Sequence, residues 1–230
     1  MKTNCSRCKT EIEYREIEGH PKLRPSHCDQ CEAEMSANAR QIAEEAVKEG
    51  RLARWVKICP PAYLATRLNH PIMEAIPHEI KEYVLGGWQP ASGTGLGICG
   101  DSGKGKTRLA YLLMHKLHMQ GLKTFCIRSV QLCGHISRSY QEDPENDPSR
   151  SIVRRVRECQ VLLLDDIGKE RYTDRIQEIV YDIIEERTAN LLPIIWTSNF
   201  SGERLEKTIG GDRGRAIVRR LREFSEAIEL

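Results

Sequence analysis

Three groups of residues in this chain have the types and spacing to do chemistry. The first is Gly100-Asp101-Ser102-Gly103-Lys104-Gly105-Lys106-Thr107, a complete G-x-x-x-x-G-K-T with an apolar run before it and an amphipathic stretch after it. A strand, loop and helix of this kind turns backbone N–H groups toward phosphates, and the helix N-terminus adds positive potential. Lys106 is then placed to reach β and γ phosphates and Thr107 to offer its hydroxyl to Mg2+, so the cargo is a nucleoside triphosphate. The second group is Val161-Leu162-Leu163-Leu164-Asp165-Asp166, an apolar run ending in two carboxylates. Asp165 suits the magnesium and Asp166 suits polarisation of an attacking water, although such a pair can also simply end a strand and cap the next turn. Later in the chain Thr197-Ser198-Asn199 closes another apolar run, and Asn199 would sit beside the γ-phosphate.

The third group is Cys5-x-x-Cys8 and Cys28-x-x-Cys31, with nineteen residues between the pairs. This spacing fits four thiolates closing tetrahedrally on one Zn2+. The segment has too few large apolar residues for a core, so metal would supply most of its folding free energy. No thioredoxin-like β-α-β pattern surrounds either pair, which leaves a redox pair or chance thiols as the lesser readings. His20 and His27 lie nearby, but four cysteines already complete a shell. Residues 1–34 carry six basic and seven acidic side chains, which gives no preference for phosphate and favours a protein as this module's partner.

These sites need elements to hold them. From about Ala33 to Lys57 the chain reads as a charged helix with Ile42, Ala46 and Val47 at helical spacing, stopped by Pro60 and Pro61. It is either a spacer or a docking helix. Short helical stretches broken by Pro71 and Pro77 follow, to Gly87. Beyond Gly93, short apolar runs alternate with amphipathic segments, the pattern of β-α units around a parallel sheet. Five strands are predicted, at Leu96–Cys99, Thr124–Arg128, Val161–Leu164, Pro193–Thr197 and Ala227–Leu230, each apolar enough to be buried on both faces. The acidic, proline-rich stretch Gln141–Ser149 reads as an exposed loop. The expected organisation is a metal module over 1–34, a linker helix over 35–57 and an α/β domain over 58–230.

Composition sets the remaining bounds. With 35 Lys plus Arg against 33 Asp plus Glu, any nucleic-acid surface has to be a local patch. There is no apolar run of membrane-spanning length and no secretion signal, so a cytoplasmic protein with reduced thiols is expected.

The P-loop, the Leu-Leu-Leu-Asp-Asp-Ile-Gly run and the Ile-Trp-Thr-Ser-Asn strand together resemble the AAA+ ATPases, most closely the DnaC/DnaI-like helicase loaders and the related IstB transposition helpers. The likeness covers roughly Ile58 to Leu230. It implies ATP and Mg2+ held by Gly100 to Thr107 and Asp165, with Asp166 as base and Asn199 as sensor. It also implies a five-stranded parallel sheet without the C-terminal helical lid of larger relatives. The Asp212–Arg222 segment looks like the family's arginine-finger helix, which implies self-assembly with Arg220, or else Arg219 or Arg215, entering a neighbour's site. A basic helix facing solvent or DNA explains the same arginines, and the two readings are compatible. The resemblance implies loading of a hexameric replicative helicase onto single-stranded DNA, with hydrolysis as a release switch. The zinc module, which DnaI-like loaders carry and IstB-like proteins generally lack, would dock on the helicase. Arg138, Arg150, Arg154, Arg155 and Arg157 are the expected contacts to single-stranded DNA. Two alternatives remain: a transposition helper that binds duplex DNA, and a nucleotide-gated zinc-ribbon adaptor with little turnover.

Overall fold

The computed structural model describes residues 1–14, 25–139, 148–170 and 172–230. The chain divides into two compact units, Met1–Leu52 and Ala53–Leu230.

In the first unit, β1 (Lys2–Asn4) and β2 (Glu11–Glu13) pair antiparallel, Thr3 opposite Ile12. The helix α1 (Asp29–Ile58) starts four residues earlier than its hydrophobic spacing predicts. Asp29 and Glu32 in its first turn complement the helix dipole, a signal that apolar periodicity does not register. Cys31 therefore belongs to a helix, and the metal module and linker helix expected as separate segments share this turn. Ile42, Val47 and Leu52 remain exposed along α1. His20 lies outside the described residues.

The second unit takes in the last residues of α1, from Ala53, and continues with α2 (Pro61–Leu64), α3 (Pro71–Glu74) and α4 (His78–Glu82), each started at or just after a proline. Next come β3 (Gly95–Cys99), α5 (Lys106–Met119), β4 (Thr124–Arg128), α6 (Ser129–Ser139), α7 (Pro148–Glu158), β5 (Val161–Ile167) and α8 (Asp174–Ala189). The chain finishes with β6 (Ile194–Ser198), α9 (Gly202–Ile209), α10 (Gly211–Glu223) and β7 (Ser225–Glu229). Of the loop expected over Gln141–Ser149, residues 141–147 lie outside the described residues, and from Pro148 the chain is already helical.

The five strands form one parallel sheet in the order β4-β5-β6-β3-β7. Side chains alternate across it. Leu162, Leu164 and Trp196 pack with α6, α7, α8, α9 and α10 on one face, while Val161, Leu163, Ile195, Leu96 and Ile98 pack with α5 and the short early helices on the other. Each fully buried Leu or Ile contributes about 1.5–3 kcal/mol, so this double-faced burial is what makes the sheet the rigid part of the unit. Two expectations are corrected. β7 is an edge strand whose Glu226, Ala227 and Glu229 are exposed, so it is not buried on both faces. β5 does not stop at Leu164: it continues through both aspartates to Ile167, with a break in register against β6 between Leu164 and Ile167.

Gly97 on β3 pairs with Trp196 on β6, and a Cβ at Gly97 would lie 2.4 Å from the indole. The indole therefore reaches across β3, and its N–H donates to Ser225 Oγ on β7 at 3.1 Å. Gly97→Ala should cost about 1–3 kcal/mol through overpacking, read as a lowered urea midpoint with an unchanged slope.

Candidate functional site

The P-loop, both aspartates and Asn199 sit at the C-terminal ends of parallel strands, where open α/β sheets place ligands. β3 leads into the P-loop, and β6 separates it from β5, which carries the aspartates. A cleft of about 360 Å3 is lined by Gly105, Lys106, Thr107, Asp165, Asp166 and Asn199, with Ser102, Gly103, Tyr63, Ile72, Arg108, Arg128 and Lys169 around them. The structure thus brings together the P-loop, both carboxylates and the sensor position.

Gly105, at φ +92°, ends the loop in the left-handed region, and a Cβ there would strike Ile72 of α3 and Ile76 just after it. Only glycine meets both demands. α5 then starts at Lys106, so its first N–H groups face the cleft. The Lys106 ammonium is nearly buried and donates to the carbonyls of Gly100 and Asp101 at 2.8 and 2.7 Å. Burial pulls its pKa below the ordinary lysine value.

Asp165 is the most constrained group. Its side chain is buried, and Oδ1 accepts the hydroxyls of Thr107 at 2.9 Å and Thr197 at 2.7 Å. Burial raises its pKa above the usual carboxylate range, partly opposed by those two hydroxyls. The same Thr197 oxygen accepts the Asp166 N–H at 2.8 Å. Asp166 sits at φ +66°, a left-handed value in a non-glycine residue, at the register break of β5. Its carboxylate faces Lys169 Nζ at 2.8 Å. Thr107 and Asp165 together offer a hydroxyl and a carboxylate to a hard divalent cation such as Mg2+.

Sequence reasoning missed Tyr63, Ile72, Arg108, Arg128 and Lys169 in the cleft lining, and the part Thr197 plays in holding Asp165. Thr197 and Arg128 stand at or next to strand ends, which the strand-end rule could have picked out. Lys169 carries no such signal, because nothing in the sequence tells which way a loop lysine points.

Beside Gly103 and Lys104 lies a second, largely apolar groove of about 510 Å3, formed by Pro71, Ile72, Ala75, Ile76 and Ile80. Across the P-loop helix, Tyr63 stacks on Tyr111 at 4.7 Å, and Arg108 donates to Ala62 O and Thr66 Oγ1, fastening α2 to α5.

Arg220 lies on α10, held by Glu185 of α8 and by Glu223 at 3.3 Å. Arg215 pairs with Asp212, while Arg219 is exposed and forms no ion pair among the described residues. Of the arginines expected to meet DNA, Arg157 pairs with Asp182 and Glu186, Arg155 lies over the Phe125 ring at 4.4 Å, and Arg154 reaches Glu158 at 4.0 Å.

In the first unit the Sγ atoms of Cys5, Cys8, Cys28 and Cys31 all lie within 4.8 Å of one another. Zn–S bonds of about 2.3 Å require S–S edges of about 3.8 Å, so the set fits a tetrahedral zinc ion. Backbone N–H groups, that of Cys8 foremost, hold the Cys5 thiol down to about 5, whereas burial pushes Cys31 up to about 12. The Ser6 N–H donates to Ser26 O at 2.9 Å, tying the two pairs together. The first pair lies between the hairpin strands and the second at the start of α1, so the module is hairpin plus helix.

Sheet order, P-loop and strand-end carboxylates define an ATP-binding α/β domain of the AAA+ class. The chain matches the model of the IstB-like ATP binding protein family over residues 93–230, and it belongs to that family. It is 26% identical over 120 residues to the uncharacterized protein YdaV of Escherichia coli, covering 52% of this chain and 47% of YdaV. It is 23% identical over 140 residues to the replicative helicase loader DnaI of Bacillus subtilis, covering 60% of this chain and 44% of DnaI. The matched region thus spans about half the length of these relatives. Among solved structures, the DnaC helicase loader superposes with a TM-score of 0.59 at 24% identity, covering 74% of this chain and 99% of that one. DnaI gives 0.58 at 22% identity, covering 74% and 94%. At these identities the structural likeness is one of fold. Among the described residues no helix is long and apolar enough to cross a membrane.

The raised pKa of Asp165 means that the folded protein holds this proton more tightly than the unfolded chain does. Its contribution therefore favours folding at low pH and is lost as pH rises from the unfolded value through the folded one. At neutral pH the buried charge is a cost. Asp165→Asn should raise the thermal midpoint measured without Mg2+, by about 1 kcal/mol of stability, and should abolish any added stabilisation by Mg2+ with nucleotide.

Proposed function

We propose that this protein is a Mg2+-dependent ATPase of the helicase-loader type. The observation that carries the reading is the convergence of Thr107, Asp165, Asp166 and Asn199 with the P-loop in one cleft. The P-loop amides of Gly100 to Gly105 would cradle the phosphates, with Asp101, Ser102 and Lys104 contributing backbone to the turn. Lys106 would exchange its two carbonyl partners for phosphate oxygens. Thr107 and Asp165 would hold Mg2+, which supplies charge neutralisation on the phosphates when bound. The apolar groove beside Gly103 suits the nucleobase. Asp166 would accept a proton from the attacking water, and Asn199 would orient that water.

An arginine of α10 would complete the site of a neighbouring copy. Arg220 would have to leave Glu185 and Glu223 to do so, whereas Arg219 is exposed as it stands. The zinc module would grip a hexameric replicative helicase, and the ATPase unit would assemble on single-stranded DNA in the cytoplasm, with hydrolysis releasing the helicase. The sequence relation to DnaI and the four-cysteine cluster support this reading. A transposition helper acting on duplex DNA is the second reading, favoured by the description of the matched family as IstB-like.

Asp166→Asn should lower the ATP turnover number by about 100-fold or more while leaving ATP affinity within a few-fold, as removal of a general base requires. Chromatography with light scattering on a mixture with the host's replicative helicase should give a stable complex. Cys28→Ser combined with Cys31→Ser should abolish that complex and release the bound zinc, measured with a chromogenic chelator. A wild-type protein that ignores the helicase but binds duplex DNA would favour the second reading.

A further inference from the structure

Tyr63 has no part in the roles above, yet this residue of α2 lines the cleft together with Thr107, Asp165 and Asp166. Its ring is held from several sides. One contact is the stack on Tyr111, a buried residue of α5, with centroids 4.7 Å apart and planes 16° from parallel. The Arg108 guanidinium lies over the same ring at 5.6 Å and is itself anchored, donating to Ala62 O at 3.1 Å and Thr66 Oγ1 at 3.0 Å. The backbone is fastened as well: the Tyr63 N–H donates to Pro60 O, and its carbonyl accepts the Thr66 N–H.

The hydroxyl at the tip of this fixed ring makes no hydrogen bond among the described residues. Asp165 Oδ1 already accepts from Thr107 and Thr197, and Asp166 pairs with Lys169. The charges of both aspartates are nonetheless felt at the phenol. Burial first, then Asp165 and Asp166, push its pKa up against the opposing pull of Arg108 and Arg128, so at neutral pH the group is a protonated, neutral donor. A donor without an acceptor, in a cleft whose other walls offer the start of α5, Lys106 and two guanidiniums, calls for an acceptor-rich anion. Its place along that anion follows from its neighbours. Tyr63 takes no part in the apolar groove beside Gly103 and Lys104, and it shares its end of the cleft with the two carboxylates. The phosphate it meets is therefore the terminal one.

We propose that the Tyr63 hydroxyl donates a hydrogen bond to the terminal phosphate of a bound nucleoside triphosphate, so that a residue placed before the sheet completes a phosphate site otherwise built from strand ends and the P-loop. This deepens the ATPase reading above and rests on it. A diphosphate ends short of the hydroxyl and gains nothing from it. Because the ring is fixed before the ligand arrives, the bond forms without ordering a mobile side chain.

The test compares wild-type protein with Tyr63→Phe and Tyr63→Leu, using the full chain with Mg2+ and titrating ADP and a non-hydrolysable ATP analogue by calorimetry. Tyr63→Phe removes the oxygen and keeps the stacked ring, so its nucleotide-free thermal midpoint should equal that of the wild type. It should bind the triphosphate analogue about tenfold more weakly, the loss expected for one hydrogen bond to a charged acceptor, with ADP affinity changed less than about twofold. Tyr63→Leu should show the same loss of discrimination together with a lowered midpoint, since the stack on Tyr111 goes too. An unchanged ratio of the two affinities in Tyr63→Phe, or an equal weakening of both nucleotides, would overturn the proposal while leaving the ATPase reading intact. Failure of the wild type to bind either nucleotide would overturn both.

Discussion

A carboxylate buried at the end of a parallel strand has to be surrounded by donors, and this requirement organises the ATP-binding unit. Asp165 meets it with two hydroxyls, one from the first turn of α5 and one from the last turn of chain in β6. The P-loop helix, the aspartate strand and the sensor strand are thereby joined at a single oxygen. The Thr197 hydroxyl has one proton and gives it to Asp165, so its own oxygen is left to receive the Asp166 amide. That amide lies where the strand breaks register, and Asp166 takes a positive φ there. The geometry of the second carboxylate is thus set by the solvation of the first.

Much of this was legible in the sequence. Apolar runs buried on both faces are unmistakable, and the G-x-x-x-x-G-K-T between a strand and a helix fixes where the phosphates go. β7 was misjudged because an edge strand needs only one apolar face, so only Ser225 and Ile228 in it are even half-buried. The continuation of β5 through Asp165 and Asp166 was hidden for a different reason: carboxylates are poor strand formers, and it takes contacts from Thr107 and Thr197, distant in sequence, to satisfy Asp165 there. The start of α1 was written in charges at Asp29 and Glu32, outside the apolar spacing.

The arginines show the limit of reading charge from sequence. Those on α7 and α10 look alike as a string, but the acidic outer side of α8 claims one from each, Arg157 through Asp182 and Glu186 and Arg220 through Glu185. A third acts with no carboxylate at all. Arg187 is fully buried and donates to the carbonyls of Val156, Arg157, Cys159 and Pro193, closing the C-terminal end of α7 against the turn into β6. Apart from Pro193, these partner acids and carbonyls lie 25 to 35 residues from the guanidiniums in the chain, so no local pattern sorts structural arginines from those left free for a partner.

Trp196 spans from β6 across the bare backbone of Gly97 to Ser225, and the residue after it is Thr197. Trp55 and Trp88 are likewise buried. The chain therefore holds all of its indoles out of water, and the one on β6 is covalently next to the hydroxyl on which both site aspartates depend. Its natural emission therefore arises one residue from the hydroxyl that joins the two aspartates, a spectroscopic handle on that strand that needs no label.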